Sequence, residues 1–261
     1  MELDTKRFEI RIAASDEDIA AAQRLRYRVF VEEMGAPAAS ADHARRLEKD
    51  AFDPFFDHLI LIDRATPVAD PLDRVAAVYR LLPGDRARAA GGFYSASEYD
   101  LSRIEALGRK TVELGRSCVA APYRGGIAMH LMWNALAEYV LSREIEILFG
   151  VASFHGTDPD AIAPALSWLH HHHLAPDDLR VRARPEGFVD MDLVPEDRLD
   201  RVEALAQIPA LIKAYLRLGG FVGEGAFIDR DFNTIDVCLL MDTARMAEKY
   251  HAFYTRSFAR K

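Results

Sequence analysis

The sequence predicts an α/β fold in which strands and helices alternate around a mixed sheet, in a single domain spanning residues 1–261. Three observations predict it. Alternating apolar residues over 8–12 indicate a strand, and apolar residues at helical spacing over 19–29 indicate a helix that follows it directly. Strand-like and helix-like segments keep alternating as far as residue 241, and no repeat or low-complexity linker interrupts them.

The predicted elements can be placed in order along the chain. Ser15, with Asp18 three residues later, is typical of a helix N-terminus, and Gly35 is placed to end that helix. Residues 83–99 are rich in Gly, Ala and Arg and predict a long loop, whereas the charged, proline-interrupted segment 177–200 is predicted to be an excursion from the core. Further strands are predicted at 58–63, 75–82, 111–119, 145–151, 221–229 and 234–241, and further helices at 124–142 and 159–173.

Composition and charge narrow the class of protein. Of the 261 residues, 50% are hydrophobic and 28% are charged, which is typical of a soluble globular protein. The N-terminus lacks a signal-peptide core, no run approaches the ~20 apolar residues of a membrane span, and both cysteines lie in apolar runs. A reducing, cytoplasmic compartment is therefore predicted. A net charge of −8 argues against nucleic acid as the main partner.

The C-terminal tail, 243–261, departs from this acidic balance. Basic residues outnumber acidic ones there, and aromatic residues recur at helical spacing. Such a tail could make peripheral contact with the anionic face of the inner membrane. It could equally be a terminal helix that packs on the domain and leaves its basic side in solvent.

A strand, a glycine turn and a helix follow one another in 111–142. The turn places Arg124, Gly125, Gly126, Ile127 and Ala128 at the helix N-terminus, where backbone N–H groups and the helix dipole attract anions. Taken alone, this is equally well a plain structural turn. The run Arg-Gly-Gly-Ile-Ala also resembles the Arg/Gln-x-x-Gly-x-Gly/Ala signature of GNAT-type acyltransferases, with Ala128 in place of the more usual last glycine. In that superfamily the turn holds the phosphates of an acyl-pantetheine donor.

Further segments resemble two related acyltransferase families. Residues 26–35, 80–83 and 113–116 resemble motifs of the acyl-homoserine-lactone synthases. Residues 149–159, 169–176, 214–219 and 228–238 resemble a sister group, the ornithine–acyl carrier protein N-acyltransferases that make lyso-ornithine lipid. The resemblance covers 26–254, and its C-terminal segments favour the sister group.

This resemblance implies an N-acyltransferase with a GNAT-like fold, in which a mixed, mostly antiparallel sheet is flanked by helices. It implies that acyl carrier protein presents the donor substrate, an acyl-4′-phosphopantetheine whose acyl chain is often 3-hydroxylated. It also implies that L-ornithine accepts this chain at its α-amine, and that no cofactor is bound permanently.

Ornithine carries a carboxylate and a side-chain ammonium, which require an arginine and a carboxylate as partners. Arg26 and Arg80 could bind the carboxylate, and Asp50, Asp53 or Asp57 could bind the ammonium, although each could equally be a framework ion pair. The resemblance implies substrate contacts for two more residues, Phe30 and Ser153.

Glu113 and Arg116 are the predicted catalytic residues. A carboxylate in an apolar strand is costly to bury unless paired, and burial would raise its pKa toward that of a general base for the amine. Glu113 could instead form a structural ion pair with Arg116 or Arg26. Residues three apart on a regular strand face opposite sides, so Glu113 and Arg116 share a side only if the strand bulges at Gly115.

The remaining chemistry concerns the thioester and the carrier protein. A backbone N–H of Ser117, Cys118 or Val119, beside that bulge, is predicted to polarise the thioester carbonyl. No Ser-His-Asp or Cys-His arrangement stands out, so direct attack by the amine is the simpler mechanism. Because carrier proteins are acidic, a basic docking surface is expected, and the arginines within 180–184 form the densest basic cluster.

Four consecutive histidines, 170–173, raise the question of a metal site. Consecutive side chains on a helix diverge by ~100°, so at most His170 and His173 are expected to share a face. No cysteine or carboxylate lies at a suitable spacing, and no metal is predicted.

Two alternatives to an ornithine acyltransferase stay open at this point. One is a GNAT-like enzyme for another amine, including an acyl-homoserine-lactone synthase. The other is a non-catalytic, haemolysin-like binding module. An intact Glu113 and an intact Arg124–Ala128 turn argue against the second.

Overall fold

A computed structural model of the protein describes residues 7–246. The β-strands are β1 (Phe8–Ile12), β2 (Asp57–Asp63), β3 (Val75–Pro83), β4 (Tyr99–Asp100), β5 (Thr111–Val119), β6 (Ile147–His155), β7 (Arg182–Ala183), β8 (Phe188–Val189), β9 (Phe221–Val222), β10 (Ala226–Asp229) and β11 (Thr234–Asp242). The α-helices are α1 (Asp16–Arg26), α2 (Gly84–Ala87), α3 (Ser102–Ala106), α4 (Ile127–Ser142), α5 (Ala163–His173), α6 (Arg201–Gln207) and α7 (Ala210–Arg217).

The described chain forms two compact units. The first comprises 7–90 and 114–144, and the second comprises 91–113 and 145–246. Strand β5 contributes its first three residues to the second unit and the rest to the first. The prediction of a single domain stays a prediction.

In the first unit the strand order is β1–β2–β3–β5, and β2 pairs antiparallel with both β1 and β3. Ser15 caps α1 as predicted, because its hydroxyl accepts a hydrogen bond from the Asp18 N–H at 3.2 Å. The apolar side of α1, including Ala22 and Leu25, packs with Ile60 and Val78 of the sheet. Burial of each leucine-sized side chain contributes about 1.5–3 kcal/mol, which holds the end of α1 in place.

Helix α1 continues directly into a π-helix, Tyr27–Glu33. The Met34 N–H bonds to the Val29 carbonyl, five residues back, at 3.0 Å. Gly35 ends the helix as predicted, with a φ of 75° that glycine adopts without steric cost. π-helices are rare and frequently occur at functional sites, and this one begins directly after Arg26.

The second unit is built around β6 and β11, which pair antiparallel over nine residue pairs. β11 also pairs antiparallel with β9 and β10, and β10 with β8. Strands β5 and β6 pair in parallel, and this pairing joins Thr111–Glu113 to Ile147–Phe149. Strands β4 and β7 form a separate two-stranded sheet.

Several elements differ from the prediction. The segment 177–200 contributes β7 and β8, and Val181 and Met191 within it are buried, so it is packed into the second unit. The predicted loop 83–99 contains α2 and a 3-10 helix, Tyr94–Ser97. Helices α6 and α7 have no counterpart in the prediction.

The ends of the chain are described only in part. Of the predicted basic, aromatic tail 243–261, the structure describes residues 243–246, with a 3-10 turn at Thr243–Arg245. The rest of that prediction lies outside the described residues. Within 7–246, no helix is both long enough and apolar enough to span a membrane.

Candidate active site

A network of buried ion pairs lies in the first unit, next to the C-terminal end of α1. The guanidinium of Arg26, which is 0% exposed, donates to Glu48 Oε2 at 2.5 Å and to the two carboxylate oxygens of Asp53 at 3.0 and 2.8 Å. It also donates to the Glu48 backbone carbonyl at 2.6 Å. Because both carboxylates are themselves buried, the guanidinium is the group that makes their burial tolerable.

Two further arginines complete the network. Arg80 donates to Asp50 at 2.8 Å and to Asp53 Oδ1 at 2.7 Å, and its guanidinium stacks 4.2 Å from the centre of the Phe56 ring. Arg116 lies 3.2 Å from Glu48 Oε1 and 3.7 Å from Asp50 Oδ2. Three guanidinium groups thus face three carboxylates, and their formal charges balance.

The electrostatics of the network keep its carboxylates ionised. Burial alone would raise the pKa of Glu48 and of Asp53, but the charge of Arg26 outweighs it, helped by Arg116 at Glu48 and by Arg80 at Asp53, and both pKa values are lowered. The pKa of His58, fully buried beside Asp53, is also lowered, but for an imidazole this favours the neutral form. Burial and the charge of Arg26 lower the pKa of His58 to about 4, so its imidazole is neutral at physiological pH.

One edge of the network reaches solvent. Its most exposed side chains are Asp50 and Arg116, at 11% and 12%, whereas Arg26 and Arg80 are at 0%. This edge therefore offers one carboxylate and one guanidinium, the pair of groups that a zwitterionic amino acid requires. Phe30, on the π-helix, packs against the apolar core of the first unit.

Strand β5 carries the two predicted catalytic residues. The Glu113 carboxylate, 1% exposed, accepts hydrogen bonds from the Tyr94 N–H at 2.8 Å, the Ser95 N–H at 2.6 Å and the Ser95 hydroxyl at 2.5 Å. Glu113 therefore caps the N-terminus of the 3-10 helix Tyr94–Ser97, where backbone donors have no partner within the helix.

The strand is distorted at Arg116, one residue after the predicted bulge. Arg116 has a φ of 50°, in the left-handed region that a non-glycine residue enters only at a cost, whereas Gly115 has no positive φ. The distortion turns the Arg116 side chain to Glu48 and Asp50. The strand is thus irregular next to Gly115, and the bulge at Gly115 itself stays a prediction.

The rest of β5 was predicted to line the donor site. Ser117 and Val119 line a small pocket with Tyr79 of β3 and with Met132 and Trp133 of α4. Cys118 points elsewhere, into the buried core of the first unit. Burial raises the pKa of the Cys118 thiol to about 12, so it is not a thiolate nucleophile near neutral pH.

Helix α4 follows the glycine turn and begins at Ile127, three residues later than predicted. Gly125 has a φ of 70°, and Gly126 occupies the N-cap without supplying a side chain to the first-turn N–H groups of Ile127 and Ala128. The Arg124 guanidinium donates to the Val119 carbonyl at 2.9 Å and forms an exposed bidentate ion pair with Glu33. The first-turn N–H groups of α4 thus receive no side-chain cap from Gly126, as in an anion site, and Arg124 lies beside them.

Comparisons with known proteins can be set against this geometry. An Acetyltransferase (GNAT) domain model matches residues 25–134, which include the end of α1, the network and the glycine turn. The chain is 62% identical to the L-ornithine N(alpha)-acyltransferase of Rhodobacter capsulatus, over 95% of each chain. It is 42% identical to the enzyme of that name from Brucella abortus, covering 94% of this chain and 88% of the relative.

This chain belongs to the L-ornithine N(alpha)-acyltransferase family. The predicted family and the predicted acyltransferase class are thereby confirmed. Among solved structures, the CoA-dependent acyl-homoserine lactone synthase BjaI superimposes with a TM-score of 0.52 at 14% identity, covering 97% of this chain and 89% of that chain. At that identity the likeness shows the fold alone, and the predicted GNAT-like fold is confirmed.

The site also contains residues that the sequence analysis missed. Glu48 and His58 belong to the network, and Tyr94 and Ser95 bind Glu113. Glu48 stands two residues before Asp50 and could have been found from that spacing. Tyr94 and Ser95 act mainly through backbone N–H groups, which leave no signal in residue type.

The substrate contact predicted at Ser153 lies on β6, in the second unit. Its side chain is exposed, and the register of the sheet sets it directly opposite Asp236 of β11. Directly opposed residues in an antiparallel pair have side chains on the same face, so Ser153 and Asp236 are neighbours.

The structure corrects the expectation that no carboxylate lies near the four histidines. One ligand atom each of His170, His171 and Asp192 lies within 4.8 Å of the others. His171 Nε2 lies 3.1 Å from Asp192 Oδ1 and 3.3 Å from the Val194 carbonyl oxygen. The carboxylate reaches the histidines through the fold and not through local spacing.

Proposed function

We propose that this protein transfers a (3-hydroxy)acyl chain from acyl carrier protein to the α-amine of L-ornithine, giving lyso-ornithine lipid. The observation that carries this proposal is the 62% identity, over 95% of both chains, to an enzyme named for the ornithine Nα-acyl transfer. The donor is proposed from the chemistry of the glycine turn, which offers N–H groups for one phosphate, as a phosphopantetheine arm requires.

The reaction is a direct aminolysis. The α-amine of ornithine attacks the thioester carbonyl carbon, a C–N bond forms, the C–S bond breaks, and the pantetheine thiol leaves with a proton. Neither described cysteine is set up to take the acyl group first, because burial raises the pKa of both Cys118 and Cys238.

Glu113 is proposed as the base that takes the proton from the amine, directly or through a water molecule. The three hydrogen bonds from Tyr94 and Ser95 hold its carboxylate in one orientation. A backbone N–H at Ser117–Val119, next to the distorted Arg116, is proposed to polarise the thioester carbonyl.

The solvent-facing edge of the network is proposed to bind the amino-acid end of ornithine. Arg116 would pair with the carboxylate of ornithine, and Asp50 would contact the amine. Arg26, Arg80 and Asp53 are then the residues that hold this edge in place, through the bonds described above.

The assay is release of free thiol from 3-hydroxyacyl-ACP, with ornithine, lysine and S-adenosylmethionine as separate acceptors and acetyl-CoA as a control donor. Turnover with ornithine and acyl-ACP alone is expected. Turnover with S-adenosylmethionine and formation of a lactone would instead support a homoserine-lactone synthase. If protein that still binds acyl-ACP released no thiol with any of the three acceptors, the proposed substrate would be refuted.

Two variants test the base. Glu113→Gln is expected to lower kcat by about 100-fold or more, since general base catalysis is worth 10²–10⁴. Ser95→Ala removes one hydrogen bond to the carboxylate but keeps the carboxylate itself, so it should cost stability and leave most of kcat. Equal effects of the two variants on kcat would contradict the base role.

A further inference from the structure

The C-terminal end of α5 carries a pair of histidines that the mechanism above does not use. One ring nitrogen each of His170 and His171 and one carboxylate oxygen of Asp192 lie within 4.8 Å of one another. All three residues belong to the second unit, and each is at least partly exposed to solvent. Two imidazoles and one carboxylate form a ligand set that is known from zinc sites with one open position.

The distances within this cluster fit a shared ion. His171 Nε2 lies 3.1 Å from Asp192 Oδ1. Two ligand atoms that bind one tetrahedral Zn²⁺ through bonds of about 2.1 Å lie about 3.4 Å apart, so this pair is already close to the required spacing. His170 can complete the set by rotation of its side chain, because its ring is only partly buried.

The carboxylate is held beside α5 by hydrogen bonds that do not involve the histidines. Ser167, one turn earlier on the helix and fully buried, accepts from the Leu193 N–H at 3.0 Å and from the Val194 N–H at 2.9 Å. The Asp192 N–H donates to Asp190 Oδ1 at 2.9 Å. The loop that carries Asp192 is therefore positioned before any ion binds, which lowers the cost of forming a site.

No arginine or lysine of residues 7–246 forms an ion pair with the Asp192 carboxylate, whose partner is His171. His171 Nε2 also lies 3.3 Å from the Val194 carbonyl oxygen. A ring nitrogen between two oxygen acceptors carries a hydrogen. A metal ion takes the place of that hydrogen and releases a proton to solvent, as metal binding to imidazole generally does.

We propose that His170, His171 and Asp192 bind a divalent transition-metal ion of the kind that imidazole prefers, such as Zn²⁺. Three protein ligands leave one coordination position to water, and no step of the acyl transfer passes through the site. The bound ion connects the end of α5 to the loop after β8 and stabilises the folded second unit. Spacing along the helix predicted no metal, because Asp192 reaches the histidines only through the fold.

The test is a calorimetric titration of the full-length protein, free of any affinity tag, with Zn²⁺ and separately with Mg²⁺. Zn²⁺ is expected to bind and Mg²⁺ is not, because Mg²⁺ prefers oxygen ligands. Zn²⁺ at about 100 times its Kd should raise the Tm by about 5 °C or more, since it binds the folded state. Protein that binds no Zn²⁺, or binds Mg²⁺ equally well, would overturn the proposal.

Matched variants separate a built site from the general affinity of a histidine run for Zn²⁺. Asp192→Asn keeps all four histidines and should weaken Zn²⁺ binding by about 10- to 100-fold or more, since even a lost hydrogen bond to a metal ligand costs that much. Its control is Glu196→Gln, which removes an exposed carboxylate 4.0 Å from His172 and should leave the Kd unchanged. His171→Gln should weaken binding as Asp192→Asn does, whereas His172→Gln, whose ring packs on Trp168, should not.

The paired carboxylate variants decide between the two explanations. If Asp192→Asn bound Zn²⁺ as tightly as the wild type, the histidine run alone would account for binding and the proposal would be wrong. Equal losses in Asp192→Asn and Glu196→Gln would contradict it as well. Both positions are exposed, so both variants are expected to fold, and circular dichroism without metal checks this.

Discussion

Replacing Arg26 by methionine removes the central cation of the buried network while keeping a side chain of comparable length. The substitution deletes the bonds to Glu48 and Asp53 and leaves two guanidinium groups facing three carboxylates. One buried negative charge is then uncompensated. This is the situation in which an ion pair is most costly to break, because the partner that remains has no access to water.

The magnitude follows from burial. Arg26 and Glu48 are both 0% exposed, so removal of one partner is expected to lower the free energy of unfolding by about 3–5 kcal/mol. That is roughly a third of the 5–15 kcal/mol that stabilises a typical domain. The loss should be smaller at pH 5 than at pH 7.5, because protonation of the leftover carboxylate relieves its burial.

The assay is urea denaturation at both pH values, followed by circular dichroism. The matched control is Arg46→Met, since Arg46 forms a similar bidentate pair with Glu32 but both side chains are well exposed, at 48% and 39%. An exposed pair of this kind contributes about 0–1 kcal/mol. If Arg26→Met and Arg46→Met differed by less than 1 kcal/mol, the argument from burial would be refuted.

Three further predictions follow from the site. Burial lowers the pKa of His58 to about 4 in the folded protein from the 6.5 of an unperturbed histidine, so its neutral form stabilises the fold fully above pH 6.5. That stability, up to about 3 kcal/mol, is lost as the pH falls toward 4, and His58→Gln should flatten the pH dependence in urea melts. Gly125→Ala should cost about 1 kcal/mol, because its φ of 70° strains any side chain, whereas Gly126→Ala should cost almost nothing. Glu33→Gln should lower the KM for acyl-ACP by up to about fivefold in steady-state kinetics, because it frees the Arg124 guanidinium for the phosphate.

Each of these predictions has a control. His130 is exposed, so His130→Gln should leave the pH dependence of stability as it is in the wild type. If Gly125→Ala and Gly126→Ala were equally stable, the positive φ of Gly125 would not make alanine costly there, and the prediction would be wrong. A KM that rises in Glu33→Gln would mean that the ion pair orients Arg124 for the donor instead of competing with it.

The sequence predicted correctly those elements that depend on interactions between residues close together in the chain. The alternation in 8–12, the Ser15 cap and the glycine end of the first helix depend on neighbours in the sequence, and the structure confirms all three. Strand β5 and helix α4 were also found from their apolar runs. The start of α4 was placed three residues early, because the effect of Gly125 on the backbone depends on its positive φ, which residue type permits but does not dictate.

Partners that the fold brings together were harder to predict. Arg26 and Arg80 were recognised as candidates, but Glu48, which binds Arg26 from 22 residues away, was not. Asp192 reaches His171 from a later loop, and the Tyr94 and Ser95 amides reach Glu113 from a segment predicted to be a loop. In each case the contact is decided by tertiary packing, and the type of the distant residue carries too little information on its own.

The π-helix Tyr27–Glu33 also places one residue more between Arg26 and Glu33 than an α-helix would need. An α-helix advances by 100° per residue, and a π-helix accommodates one more residue in the same length. Deleting one residue between Tyr27 and Phe30 would therefore let the segment relax into an α-helix of about the same length. Arg26, before the deletion, and Glu33, after it, would both keep their partners. A deletion that would turn all later side chains of an ordinary α-helix by about 100° can thus be absorbed at this one place in the chain.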